Sequence, residues 1–178
     1  MPKKSIQILI PSGITYIRII LAPILFFTVI NNFILYSICI FVLAVATDAI
    51  DGYVSRKLDL ASSKGAYFDV VADFILILSA FSGLVITGLY PFWLIIIIVF
   101  MFLQFIITSK FQIPVYDPIG KYYGSFLFIV IFISLIIINP ILNLLLTILI
   151  VIFTVISITS RFLFMLKNKD DKLDKKIR

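Results

Sequence analysis

Six stretches of the chain, roughly 14–31, 33–54, 67–89, 91–109, 121–138 and 141–165, are almost wholly apolar. Each is close to the roughly 20 residues that a helix needs to cross about 30 Å of hydrocarbon. Short polar or proline-containing breaks separate them: Asn31-Asn32, Ser55 to Lys64, Tyr90-Pro91, Lys110 to Gly120 with Pro114 and Pro118, and Asn139-Pro140. A hydrophobic share of 62% and a mean hydropathy of +1.21 exceed what a soluble core of this size can hide, since soluble domains are roughly 45–50% apolar. Inside lipid the backbone must satisfy its own hydrogen bonds, which leaves helices as the spanning element. The pattern predicts an all-α integral membrane protein with six transmembrane helices, forming one domain over residues 1–178.

Charge placement predicts the orientation. An even number of spans puts both termini on one side, together with the second–third and fourth–fifth connections. All fifteen Lys and Arg residues fall on that side, and the three opposite connections carry none. Positive residues stay inside, so both termini are expected in the cytoplasm, in an inner membrane. Residues 1–13 are basic and then apolar, break at Pro11 and Gly13, and lack a small-residue cleavage site. They read as a short interfacial segment rather than a removable signal. Residues 166–178 read as a charged cytoplasmic tail.

Several chemistries are excluded by what the chain lacks. It has no histidine and no glutamate, and Cys39 is alone. A disulfide framework, Cys-based metal sites and histidine bases are therefore unavailable, and the commonest zinc ligand is missing. The net charge of +6 is concentrated at span ends and in the tail. That placement fits anionic membrane lipid as the partner and gives no indication of nucleic acid.

Four of the nine acidic residues lie within or at the edge of spans: Asp48, Asp51, Asp69 and Asp73. A carboxylate there is costly unless it meets a cation, a partner or water. Asp48 and Asp51 are three apart near the end of the second span, and Asp69 and Asp73 are four apart near the start of the third. Each pair therefore shares one helix face. The ten-residue connection lets the two helices lie antiparallel, so all four carboxylates can meet at similar depth. Like charges at one point remain ionised only beside a cation. An oxygen-only donor set favours Mg²⁺ or Mn²⁺, which is commonly held jointly with substrate phosphate. Gly52, Ser55 and Gly65 are small residues at helical spacing from these acids, and Arg56 can pair with a phosphate or with the aspartates.

The run Asp48-Ala-Ile-Asp51-Gly52-Tyr-Val-Ser55-Arg56, eight residues, then Gly65-Ala-Tyr-Phe-Asp69-Val-Val-Ala-Asp73, resembles the signature of the CDP-alcohol phosphatidyltransferases. That signature reads D-x2-D-G-x2-A-R-x8-G-x3-D-x3-D. Seven of its eight fixed positions match; Ser55 replaces alanine. Weaker similarity extends to Pro11-Ser-Gly-Ile-Thr15-Tyr-Ile-Arg18 with Pro23, and to Gly120-Lys121, which looks like the phosphatidylglycerophosphate synthase branch.

The resemblance implies a homodimeric six-helix enzyme that moves a phosphatidyl group from a CDP-lipid to a small alcohol and releases CMP. It implies Asp48, Asp51, Asp69 and Asp73 as metal ligands and Asp73 as the general base. Gly52, Ser55, Arg56 and Gly65 would line the nucleotide site. Among cationic candidates for binding a phosphorylated acceptor, Lys110, Lys121 and Arg161 stand with Arg18; Lys121 and Arg161 are preferred for their positions at span ends. Glycerol 3-phosphate is the acceptor of the resembled branch. That branch usually has an Arg-Glu pair in its fourth span, where this chain has only Gln104 before Thr108. Serine or an inositol phosphate therefore stays open as acceptor. A cation transporter using the aspartates is the alternative of another class. It would need polar groups through the whole membrane depth, whereas the outer half here is nearly all Ile, Leu, Val and Phe.

Overall fold

The computed structural model describes the backbone of residues 2–57, 63–109 and 122–177, and the side chains of 16–50, 68–107 and 122–162. Six α-helices account for nearly all of it: α1 Pro2–Ile30, α2 Ile34–Lys57, α3 Ser63–Ile86, α4 Trp93–Ser109, α5 Tyr123–Ile136 and α6 Pro140–Ile177. Each overlaps one of the apolar stretches, though α3 stops short of residue 89 and α5 is shorter than its stretch at both ends. The expected break at Pro11 and Gly13 is absent, and α1 runs through both positions. The helix loses one backbone hydrogen bond at proline and continues past it.

The turns use recognisable chemistry. Asn32 adopts φ 56 just after α1. Its amide bonds to Val29 O at 3.0 Å and the Phe33 amide to Thr28 O at 2.9 Å, which is a Schellman closure. Gly88 repeats the arrangement after α3, with φ 78 and bonds from Gly88 N to Val85 O and Leu89 N to Leu84 O, both 3.0 Å. Asn139 caps α6: its Oδ1 accepts from Ile141 N at 2.9 Å and Leu142 N at 3.3 Å. Pro140 takes the first helical position, where a missing N–H costs nothing.

Two helices in the described part are long and apolar enough to cross a membrane, Phe68–Ile86 and Pro140–Phe162. Shorter apolar helical stretches run over Tyr16–Ile30, Ile34–Ile50, Trp93–Ile107 and Tyr123–Ile136. Among the described residues the outward surface is largely apolar, with Ile20, Phe27, Leu35, Phe92, Ile107 and Ile141 all exposed. In water such a surface would aggregate; in lipid it is the normal exterior.

The inner packing centres on α1, which lies mainly against α3 and α2. Gly83 shows why α1 and α3 come so close. A Cβ there would stand 2.8 Å from Val29 Cγ1 and 2.9 Å from Val29 Cβ. Small residues allow this approach in membrane helices. Helix α5 covers α2 and α3, while α6 packs on α5 and α4. Aromatic pairs fill these seams: Phe74 stacks on Phe102 between α3 and α4, and Phe126 on Phe153 between α5 and α6.

The half of the bundle away from the aspartates is less uniformly aliphatic inside than the sequence pattern predicts. Thr28, Ser37, Ser134, Asn143 and Thr147 are buried there. Most of them are satisfied locally. Thr28, Ser134 and Thr147 donate to the carbonyls of Leu25, Val130 and Asn143, and Ser37 donates to Thr28. These hydroxyls close on their own helix or on a neighbouring one, whereas both amide atoms of buried Asn143 have no hydrogen-bond partner among the described residues.

Candidate active site

Arg18 is the centre of the site. It lies in the middle of α1 with none of its side chain exposed. Its Nη1 lies 2.9 Å from Asp48 Oδ1 on α2 and also donates to Asp73 Oδ1 on α3. Its Nη2 donates to Asp69 Oδ1 at 3.4 Å. One planar guanidinium thus joins three helices. Only arginine has forked donors suited to that geometry.

Helix register brings these groups together. Arg18 meets Asp73, and eleven residues further along α1 Val29 meets Gly83, ten residues along α3. The two helices therefore run parallel in near-constant register. On the other side, Arg18 meets Asp48 while Thr28 receives the Ser37 hydroxyl at 3.0 Å. There the residue numbers run in opposite senses, so α1 and α2 are antiparallel.

Exposure separates the charges. The side chains of Asp48, Asp69 and Asp73 are 44%, 39% and 28% exposed, against zero for Arg18. The guanidinium forms a buried floor and the carboxylates stand above it, open to ligands. Three carboxylates against one guanidinium leave a net charge of −2. That charge and an oxygen-only donor set fit a hard divalent cation. Among the described residues no three acidic side chains are already gathered as ligands of one ion. The point on which Asp48, Asp69 and Asp73 converge is Arg18.

The other sequence candidates divide by position. Asp51, Gly52, Ser55 and Arg56 lie on the last turns of α2, and Gly65 in the first turn of α3. Their side chains fall outside the described residues, as do Lys110 and Lys121 entirely. Arg161 is buried on α6, with its Cζ 5.9 Å from the ring centroid of Phe105 on α4. A cation over an aromatic face at this range is attracted to it.

A family model described as CDP-alcohol phosphatidyltransferase matches residues 8–167. The chain belongs to the CDP-alcohol phosphatidyltransferase family. Members named CDP-diacylglycerol--glycerol-3-phosphate 3-phosphatidyltransferase are among its relatives. The one from Wigglesworthia glossinidia brevipalpis is 36% identical over 106 residues, 58% of each chain. The one from Haemophilus influenzae is 33% identical over 106 residues, 58% of this chain and 57% of the relative. A Bacillus subtilis protein of the same name is 40% identical over 60 residues, 34% of this chain and 31% of that one. These alignments cover less than two thirds of the relatives' length. Within this phosphatidyltransferase fold, the three described aspartates are those of the family signature, and Arg18 belongs to the weaker N-terminal similarity ahead of it.

Arg18 is the residue whose place sequence reasoning missed. Position along the sequence alone groups it with the acceptor-binding cations, behind Lys121 and Arg161. The available signal was its depth: a lone arginine well inside an apolar helix needs an acidic partner.

Proposed function

We propose that this chain transfers a phosphatidyl group from CDP-diacylglycerol to glycerol 3-phosphate and releases CMP. The convergence of Asp48, Asp69 and Asp73 around one buried cation, in the family's own spacing, carries this reading. The relatives' printed name supports glycerol 3-phosphate over serine or an inositol phosphate. The sixfold span count, cytoplasmic termini and inner-membrane placement are supported by the complete Lys/Arg asymmetry. The family resemblance supports a homodimer.

Asp48, Asp51, Asp69 and Asp73 would hold Mg²⁺ or Mn²⁺. A divalent ion in such a site offsets charge on a pyrophosphate and its leaving oxygen. The chain's own residues do the rest. Gly52, Ser55 and Gly65 leave room for the nucleotide, and Arg56 pairs with its phosphate. Asp73 accepts the proton of the acceptor hydroxyl as that oxygen bonds to the lipid-side phosphorus. The phosphorus–oxygen bond to CMP breaks, and CMP leaves with the bonding electrons. Arg161, Lys121 and Lys110 are the cations proposed for the acceptor's phosphate. The open face of the carboxylates suits substrates of two kinds, with lipid tails in the bilayer and the nucleotide and acceptor in water.

An acceptor panel tests the assignment. Purified protein with CDP-diacylglycerol and Mn²⁺ is given glycerol 3-phosphate, serine, inositol phosphate or glycerol, and lipid products are identified by mass. Phosphatidylglycerophosphate is the expected product. A product from serine or inositol phosphate alone would reassign the acceptor, and no product from any of them would reject the transferase reading.

A further inference from the structure

Three negative groups from two helices meet one positive group from a third, and the positive group is the one with no exposure. This arrangement separates two jobs. Something must gather the carboxylates, and something must balance their charge on the open side. Arg18 does the first job and, with one positive charge set against three carboxylates, the second only in part.

We propose that Arg18 is a positioning residue that gathers Asp48, Asp69 and Asp73 from α2 and α3 and, by its own charge, weakens the affinity with which they hold a divalent cation. This role rests on the divalent-cation reading above. The carboxylates repel each other at short range, screened in part by water at their open faces. The guanidinium relieves that repulsion from beneath and binds through Oδ1 of each aspartate. A cation arriving from the open side therefore meets carboxylates already drawn together on Arg18, though not yet placed as ligands of one ion, and one charge less negative. Without Arg18 the same aspartates would depend on the incoming cation for their stability and hold it more tightly. The charge effect outweighs the lost ordering, because a divalent ion feels the missing guanidinium charge twice over.

The test compares the wild-type protein with Arg18→Gln and Arg18→Lys, each purified in detergent. Thermal unfolding is followed in EDTA and in saturating Mn²⁺, and Mn²⁺ binding is measured by electron paramagnetic resonance. Arg18→Gln should unfold at a lower temperature in EDTA and recover most of that loss in Mn²⁺. Its Mn²⁺ affinity should tighten by about tenfold, the scale of removing one nearby charge. Arg18→Lys keeps the charge but not the fork, so its midpoint in EDTA should fall between the two while its Mn²⁺ affinity stays near that of the wild type. If Arg18→Gln does not fold in EDTA, the Arg18→Lys comparison decides. Equal losses in EDTA and Mn²⁺ would mean a packing role only and overturn the proposal, as would unchanged or weaker Mn²⁺ affinity. Folded wild-type protein that binds no Mn²⁺ would instead reject the divalent-cation reading, and this role with it.

Discussion

Arg18 Nη1 on α1 lies 2.9 Å from Asp48 Oδ1 on α2, and the same nitrogen donates to Asp73 on α3. The site is therefore a junction of three helices and not a property of the signature segment alone. Any change that shifts α1 against its neighbours should reach the carboxylates.

Asp73 is the aspartate assigned the proton of the acceptor hydroxyl. Asp73→Asn keeps size and hydrogen bonding but cannot take that proton. CMP release should fall by a factor on the order of 10² to 10⁴, the usual weight of a general base. Donor binding, read as the Michaelis constant for CDP-diacylglycerol, should change far less than the rate. A rate within a factor of about three of wild type would move the base elsewhere.

Gly83 sets the closeness of α1 to α3 at the far end of the same register. Gly83→Ala puts a methyl 2.8 Å from Val29 Cγ1 and 2.9 Å from Val29 Cβ. Overpacking of this kind costs about 1–3 kcal/mol. The thermal midpoint should drop, and adding Val29→Ala should recover part of the loss, giving a coupling outside simple additivity. Additive losses in the double variant would show that the two residues do not share the contact.

Arg161 is buried between α6 and Phe105 of α4 and is proposed to meet the acceptor's phosphate. Arg161→Met keeps much of the apolar bulk and removes the charge. The Michaelis constant for glycerol 3-phosphate should rise about tenfold or more, the scale of one lost charge-assisted hydrogen bond. That for CDP-diacylglycerol should stay near wild type. A rise confined to the donor would place Arg161 at the nucleotide instead.

Much of this fold was legible because membrane helices advertise their ends. Asn31-Asn32 and Asn139-Pro140 mark both a polar break and the residue types that close or open a helix, and the structure uses Asn32 and Asn139 for those roles. The aspartates were legible through spacing, since three- and four-residue intervals fix a helix face whatever the tertiary packing. Arg18 was not, because its partners lie 30 to 55 residues away and only the register of α1 against α2 and α3 selects them. Gly83 was invisible for the same reason: its role exists only once Val29 is opposite. Pro11 misled in the other direction, since a proline can interrupt a pattern without ending a helix.

Orientation has its own test. Cys39 is the chain's lone cysteine, so a Cys39→Ser background accepts single reporters. A cysteine at Lys172 should be shielded from a membrane-impermeant maleimide in intact cells and labelled after lysis. One at Asn139 should be labelled in intact cells. The opposite pattern would invert the topology and put the aspartates on the outer side.

The central claim is that the Asp48–Asp69–Asp73 cluster transfers a phosphatidyl group. The most direct measurement is CMP release by purified protein with CDP-diacylglycerol and Mn²⁺, with and without glycerol 3-phosphate. The account predicts CMP only when the acceptor is present, in equal amount to the phosphatidylglycerophosphate formed. No CMP under either condition, or the same CMP without acceptor, would contradict it.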